Sequence, residues 1–180
     1  HVLNLTVDRI TREKQTLMKH LLLLRHAKSS WDHPSLSDHQ RPLNPRGERD
    51  APRMGRWICQ QQLEPDLVIC SSAMRAEQTA RAIVMECETK EPLQVTDELY
   101  HAPARTYLSL LAQVPDQFQS VLMVGHNPGI ESLLEWLSGE PTSMPTAALA
   151  HLRILADSWQ QFDSPSDAQL AGFWIPRDLD

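Results

Sequence analysis

The sequence predicts an α/β fold, a three-layer sandwich in which a central, mostly parallel β-sheet is flanked by helices. Two observations lead to this prediction. Short apolar runs, of the length expected for buried strands, alternate with longer segments whose apolar residues recur at helical spacing. Each intervening segment is long enough for a right-handed crossover, the usual connection between parallel strands.

Six segments are predicted to be strands. The first, HLLLLRHA at residues 20–27, is a short apolar run bounded by polar residues, as expected for a strand buried in a sheet, although leucine alone does not exclude a helix. The other five are short segments at 66–72, 93–99, 120–127, 148–155 and 172–176.

Four segments are predicted to be helices, and they alternate with the first strands. Pro52 is expected to bend or restart the first helix, and Gly139 to end the last one. Residues 32–45 are rich in Pro, Ser and Asp, which predicts a loop. The four predicted helices cover residues 46–62, 73–87, 103–114 and 128–139.

The composition limits the classes of function. The chain has 180 residues, enough for one ordinary domain, and 41% of them are hydrophobic and 22% charged, as in soluble globular proteins. Its formal net charge of -6 argues against a nucleic-acid partner. Its apolar runs are shorter than the roughly 20 residues that span a bilayer, so no membrane partner is expected.

Residues 1–17 differ from the rest of the chain. They lack the continuous apolar core of a secretory signal. Met18 directly precedes the first apolar run, as a natural start would. We therefore expect residues 1–17 to be a non-essential N-terminal extension and residues 18–180 to form a single domain.

The number and spacing of the cysteines indicate the redox state of the compartment in which the protein resides. Cys59, Cys70 and Cys87 are odd in number, lie far apart along the chain and form no CxxC pair. This usage predicts a reducing compartment, and we expect the protein to be cytoplasmic.

Charged side chains follow three of the predicted strands. The first strand ends in Arg25 and His26, the second runs into a helix that carries Arg75, and another ends at His126. A parallel sheet brings such ends to one edge, where ligands of α/β proteins bind. Taken singly, Arg25 could instead cover apolar surface with its stem, His26 could be a core histidine, and His126 could cap a turn.

Arg75 and His126 both point to an anion. Arg75 is predicted in the first helical turn, where the macrodipole disfavours a cation by about 0.3–1 kcal/mol; a bound anion would remove the conflict. Asn127 and Pro128 suit the cap and first turn of a helix, so His126 is expected just outside its N-terminus. Phosphate fits such a pocket best because its oxygens accept bidentate guanidinium contacts.

These residue types also suit phosphoryl transfer, which depends mainly on positioning and charge stabilisation. Two arginines and one histidine could hold the three equatorial oxygens while the other histidine attacks in line. The attacking histidine must be neutral, and neighbouring guanidinium groups lower its pKa.

Five motifs occur in order along the chain and resemble those of the histidine phosphatase superfamily, the phosphoglycerate-mutase-like group. Within the superfamily, the chain is most similar to the SixA-type phosphohistidine phosphatases. This similarity rests on the RHA form, the RAEQTA stretch and the compact length, and it continues to WIPRDL at 174–179. The motifs are LLLLRHAKSSW (21–31), RPLNPRG (41–47), SSAMRAEQTA (71–80), DELYHA (97–102) and VGHNPG (124–129).

The resemblance implies a role for each matching position. His26 is the nucleophile and becomes phosphohistidine, and Arg25, Arg75 and His126 bind the phosphoryl oxygens. Ser29 matches a hydroxyl position that contacts phosphate in mutase-like members; the alternative is an ordinary loop serine.

Glu98, Asp32 and Arg41 are further candidates. Glu98 lies in the region where many family members place the acid that protonates the leaving group, and the alternative is an exposed glutamate. Imidazole leaves more readily than an alkoxide, so a phosphohistidine substrate could dispense with a strong acid. Asp32 and Arg41 could meet substrate, but a solvated loop is the favoured interpretation of both.

The resemblance therefore implies a hydrolase, a metal-independent phosphatase without a cofactor that works through a covalent phosphohistidine. A phosphohistidine on a signalling protein is the first choice of substrate. The alternatives are a phosphatase for sugar or alcohol phosphates and a phospho-ligand binding module with little turnover.

Other classes fit less well. In a cysteine phosphatase the nucleophile precedes arginine by five intervening residues, whereas four separate Cys70 from Arg75 here, without glycine. A metal hydrolase would show HxH or HExxH spacing, which the eight histidines lack. A mutase would need a longer chain to enclose its intermediate. The remaining histidines expected to be solvated or structural include His33, His39, His101 and His151.

Overall fold

Six strands form one sheet in the computed structural model, which describes residues 18–179. The strand order is β3-β2-β4-β1-β5-β6. The first four strands in this order run parallel, and β5 and β6 are added antiparallel at one edge. The expected extension at 1–17 lies outside the described residues. The strands are β1 (Met18–Arg25), β2 (Leu67–Ser71), β3 (Gln94–Thr96), β4 (Ser120–Gly125), β5 (Leu149–Leu155) and β6 (Ala168–Trp174).

Four α-helices cover the two faces of this sheet. Buried residues of α1 and α2 share one hydrophobic cluster with the sheet, and those of α3 and α4 share the other. The predicted three-layer sandwich with a mostly parallel sheet is confirmed. None of the helices within residues 18–179 combines the length and apolar character needed to cross a membrane. The helices are α1 (Pro45–Gln60), α2 (Met74–Cys87), α3 (Ala104–Leu111) and α4 (Gly129–Ser138).

The four consecutive leucines of β1 are explained by its central position between β4 and β5. Successive side chains of a strand point to opposite faces. Leu21 and Leu23 therefore pack toward α3 and α4, and Leu22 and Leu24 toward α1 and α2. All four are 0% exposed, and full burial of each leucine contributes about 1.5–3 kcal/mol. This burial holds the end of β1 in place.

The structure corrects two details of the predicted elements. The strand expected at 93–99 is only Gln94–Thr96, and a 3-10 turn follows at Asp97–Leu99. Helix α1 continues through Pro52 without a restart. Residues on both sides of Pro52, including Ala51 and Met54, are buried, so packing against neighbouring elements holds the helix despite the lost hydrogen bond.

Two cysteines that are distant in sequence meet between α1 and α2. The helices approach closely at Gly55, where an added Cβ would lie 2.8 Å from Cβ of Glu86. One turn later, the Sγ atoms of Cys59 and Cys87 are 3.1 Å apart, and both are free thiols. The helix contact thus creates a proximity that the cysteine spacing did not predict.

We expect hydrogen peroxide to join Cys59 and Cys87. The two thiols would form one S–S bond of about 2.0 Å and release two protons and two electrons, which reduce the peroxide to two waters. Burial raises the pKa of Cys87, so the reaction should be slow. The bond would close 28 residues and stabilise the fold by about 3–4 kcal/mol, which raises Tm by several degrees.

Non-reducing peptide mapping and calorimetry check this expectation, with Cys59→Ser as the control that cannot form the bond. A disulfide that is fully formed but leaves Tm unchanged would contradict it.

Candidate active site

The carboxyl ends of β1, β2 and β4 lie side by side and carry the predicted residues. Arg25 pairs in register with Gly125, so the residues that follow, His26 and His126, become neighbours. Their ring centroids are 4.9 Å apart. Arg75, in the first turn of α2, reaches the same place, because its Nε lies 3.3 Å from Nε2 of His26. The structure thus brings these candidates into one cluster.

Two contacts define the state of the His26 ring. Nδ1 lies 2.8 Å from the backbone carbonyl of Ala27, which can only accept, so Nδ1 carries the proton. The Nε–H of Arg75 donates to Nε2, which therefore presents its lone pair. The backbone N–H of Ala27 in turn donates to Thr79 Oγ1 at 3.0 Å. His26 is therefore held against α2, with its unprotonated Nε2 next to Arg75.

The surroundings of His26 keep its ring neutral. Burial lowers the pKa of His26 to about 4. The hydrogen bond to Ala27 acts in the opposite direction, and the positive charges of Arg75, Arg25 and Arg41 lower the pKa further. Because a protonated imidazole has no lone pair to attack with, this environment favours a nucleophile at neutral pH.

His126 offers a second ring atom to the cluster. Its Nε2 lies 2.8 Å from Ser71 Oγ, which also accepts the N–H of Ala73. When the Ser71 hydroxyl donates to Nε2, the Nδ1 of neutral His126 carries the proton. Nδ1 is buried and has no hydrogen-bond partner among the described residues. Burial lowers the pKa of His126 to about 3, so this ring is a neutral donor.

Arg25 also keeps a donor without a partner. Its Nη1 donates to the carbonyl of Met144 at 2.8 Å, and this bond fixes the guanidinium. The buried Nε has no hydrogen-bond partner within residues 18–179. An unpaired buried donor is costly, and an oxyanion that accepted hydrogen bonds from Arg25 Nε and His126 Nδ1 would remove that cost.

Asp38 is the main site residue that the sequence did not predict. Its carboxylate accepts hydrogen bonds from Arg75, Arg41 and Tyr100 at 2.8–2.9 Å. Its backbone carbonyl accepts another from Arg75 Nη1 at 2.6 Å. Burial alone would raise the pKa of Asp38, but the hydrogen bonds from Tyr100 and Arg75 and the charge of Arg75 hold it well below its usual range. No periodicity or spacing distinguishes Asp38 from Asp32 in the same loop.

Arg41 is buried, which corrects the expectation of a solvated side chain. It donates to Ser29 Oγ at 2.6 Å and to Asp38 at 2.8 Å. Its guanidinium carbon lies 3.3 Å from the ring centroid of Trp31. Ser29 Oγ is thus already bound to a guanidinium, and its predicted contact with phosphate stays a prediction. Asp32 is exposed, as expected.

Glu98 lies away from these contacts. It is exposed in the 3-10 turn after β3 and lines a cavity of about 330 Å³ with residues that include Leu67 and Val114. The hydrogen bonds and ring contacts that join His26, His126 and Arg75 do not include it. Its role as an acid is therefore still a prediction.

Three aromatic rings at the edge of the cluster were not predicted to be there. Tyr100 packs edge-on against His39 at 4.8 Å between centroids and against His126 at 5.8 Å. His101 follows it, with its ring centroid 6.0 Å from that of His126. Tyr100 and His101 belong to the DELYHA motif, and this motif was the feature of the sequence that could have indicated them. Their position beside His126 depends on the turn after β3.

The start of α4 differs from the prediction. Pro128, not Asn127, is the N-cap, and no side chain caps the helix. Asn127 Nδ2 instead donates to the carbonyl of Met144 at 3.1 Å, the carbonyl that also holds Arg25. His126 still lies just before the helix, as predicted.

The ring of His26 is expected to titrate near pH 4. Since its pKa is lowered from the ordinary 6.5 to about 4, the ring stays neutral as pH falls through 6.5 and gains its proton only near 4. An NMR titration of the His26 ring protons measures this, with circular dichroism to verify that the protein stays folded. A midpoint near 6.5 would contradict the expectation.

Comparisons with known proteins agree with this geometry. Residues 21–102 match the histidine phosphatase superfamily (branch 1). A curated relative, Uncharacterized protein Rv1276c of Mycobacterium tuberculosis, is 34% identical over 165 residues, covering 86% of this chain and 100% of the relative.

Two solved structures are similar over nearly their whole length. The SixA structure from Agrobacterium tumefaciens is 33% identical with a TM-score of 0.76, covering 88% of this chain and 98% of that chain. The structure of protein histidine phosphatase SixA complexed with tungstate is 25% identical with a TM-score of 0.73, covering 89% of this chain and 99% of that one. With this fold, this identity and the superfamily match over 21–102, the chain belongs to the histidine phosphatase superfamily.

Proposed function

We propose that this protein is a phosphatase that transfers a phosphoryl group to His26 and then hydrolyses the phosphoenzyme. The observation that carries the proposal is the state of His26. Its proton is on Nδ1, and its lone pair is on Nε2 beside the guanidinium of Arg75. A neutral nucleophile beside a fixed positive charge is what attack on a phosphoryl group requires.

The reaction would proceed in two displacements. His26 Nε2 forms a bond to phosphorus while the bond to the leaving group breaks, and the leaving group takes the electron pair. Arg75, Arg25 Nε and His126 Nδ1 would bind the three equatorial oxygens, where negative charge must be stabilised. Water then attacks phosphorus, the N–P bond breaks, and inorganic phosphate is released with His26 restored. The tungstate in one similar SixA structure is an oxyanion of related shape.

The proposed substrate is a phosphohistidine on a protein. Similarity to a structure described as a protein histidine phosphatase supports this class. The position of Glu98 is a second support, because it is exposed and outside the cluster's contacts. A substrate whose leaving group is imidazole has the least need of a strong acid at that position.

An exposed tryptophan near the cluster also fits a protein substrate. Trp31 is 73% exposed, yet its ring is held against the guanidinium of Arg41. Arg41 in turn binds Asp38, the partner of Arg75. A rigid exposed aromatic side chain is a common anchor in protein interfaces.

The substrate class is tested by comparing kcat/KM for a phosphohistidine-containing protein with values for a panel of sugar and alcohol phosphates. We expect the phosphoprotein to be preferred by at least about tenfold, which is roughly 1.4 kcal/mol. A sugar or alcohol phosphate with the higher value would overturn the substrate class and favour a metabolite phosphatase. Binding of the phosphoprotein without turnover would instead favour a binding module.

Metal independence is part of the proposal, because the guanidinium groups would supply the positive charge. We expect kcat/KM to stay within about twofold after prolonged incubation with EDTA and removal of the chelator. Loss of activity that Mg²⁺ or Zn²⁺ restores would contradict this expectation and assign the charge stabilisation to a metal ion.

A further inference from the structure

His101 has an unusual position at the edge of the active site. Its φ of 53° lies in the left-handed region, which residues other than glycine seldom adopt and which often marks functional sites. The turn is tightly packed: a Cβ added to Gly129 would lie 1.8 Å from the carbonyl oxygen of Ala102. The left-handed backbone of His101 thus lies in a turn that packs closely against the start of α4.

The ring of His101 combines access to solvent with contacts to the cluster. Its side chain is 59% exposed, and Nε2 lies 3.6 Å from Asp38 Oδ2. Its centroid is 4.1 Å from that of Tyr100 and 6.0 Å from that of His126. The ring is therefore accessible to solvent and lies beside His126, the histidine proposed to bind the phosphoryl group.

Resting on the proposed function, we infer that His101 is the proton carrier of the reaction and that Asp38 positions it. Asp38 would accept the Nε2–H of His101, so that Nδ1 can face the leaving group. Imidazole paired with a carboxylate is a common arrangement for general acid–base catalysis.

The proton balance is complete in two steps. As His26 Nε2 bonds to phosphorus, the leaving atom departs with its electron pair and takes the proton from His101 Nδ1. In the second step, water transfers a proton to His101 Nδ1 as its oxygen bonds to phosphorus and the N–P bond breaks. The net reaction consumes one water, and His101 regains its proton.

Glu98 is the competing candidate for this role. Its side chain is exposed and lines a cavity with Leu67 and Val114, whereas His101 approaches both Asp38 and His126. Asp38 itself is a poor acid, because the hydrogen bonds it accepts from Tyr100 and Arg75 keep it ionised. The geometry therefore favours His101.

Leaving-group dependence tests the inference. Rapid-quench kinetics measure the rate of phosphoenzyme formation from two substrates. The phenolate of phenyl phosphate is a poor leaving group, whereas the dinitrophenolate of 2,4-dinitrophenyl phosphate leaves without help from an acid. For His101→Ala we expect the rate with phenyl phosphate to fall about 10²-fold, and the rate with 2,4-dinitrophenyl phosphate to stay within about twofold. A merely structural role for His101 would slow both substrates equally.

The controls separate the possible failures. His33→Ala, an exposed loop histidine, should leave both rates unchanged. Equal effects of His101→Ala on the two substrates, or a selective loss in Glu98→Gln instead, would overturn the assignment of His101. If the unsubstituted protein forms no phosphoenzyme at all, the proposed function fails, which is a distinct outcome.

Discussion

Replacing His26 with alanine is expected to lower turnover by on the order of 10⁴-fold or more, because the substitution removes the atom that attacks phosphorus. Nε2 of His26 presents its lone pair next to Arg75 Nε. In the proposed mechanism, His126 has a different role, because its unpartnered Nδ1 would donate to a phosphoryl oxygen. The measurement is steady-state turnover of a phosphorylated substrate.

Phosphoenzyme trapping makes this prediction specific. Brief incubation of the unsubstituted protein with labelled substrate should give an acid-labile, base-stable phosphoenzyme, and His26→Ala should give none. His33→Ala serves as the matched control, since His33 is exposed. Substantial activity in the folded His26→Ala protein would rule out the covalent mechanism.

Replacing Arg75 with alanine is expected to lower kcat/KM by about 10²–10³-fold, or roughly 3–4 kcal/mol, the usual effect of losing one oxyanion donor. The guanidinium contacts His26 through Nε and Asp38 through both Nη atoms. Its loss therefore removes a phosphoryl ligand and also frees the Asp38 loop. The positive charge that helps to keep His26 neutral is lost as well.

Arg75→Lys separates charge from geometry. Lysine keeps the charge but cannot reproduce the forked contacts, so we expect a loss close to that of alanine. Arg81→Lys is the matched control on the same helix, because Arg81 is exposed and pairs with Glu77. Full activity in a correctly folded Arg75→Lys protein would show that charge alone suffices and that the forked contacts with Asp38 are not needed.

Most of the fold could be predicted because its elements have strong local patterns. The apolar runs at 20–27 and 120–127 became β1 and β4. Segment 93–99 was less well predicted: its exposed edge strand is short and the chain turns at Asp97–Leu99. Strand propensity is a weak guide where little surface is buried.

The candidate site also contains residues that the sequence predicted and residues that it did not. Arg25, His26, Arg75 and His126 could be identified because they stand at or beside strand ends, and a parallel sheet collects such ends at one edge. Asp38 could not, because it lies in an irregular loop whose path depends on contacts with Arg75 and Arg41.

The sequence by itself determined the sheet, its buried leucines and the positions from which the two histidines and two arginines extend, because periodicity and burial are local properties of the chain. Only the tertiary structure decided which atoms of those side chains are free. The tautomer of His26 depends on Ala27 and Arg75, and the place of His101 depends on a turn packed against α4. Such contacts join residues whose separation along the chain carries no pattern, so they appear only when the fold brings them together.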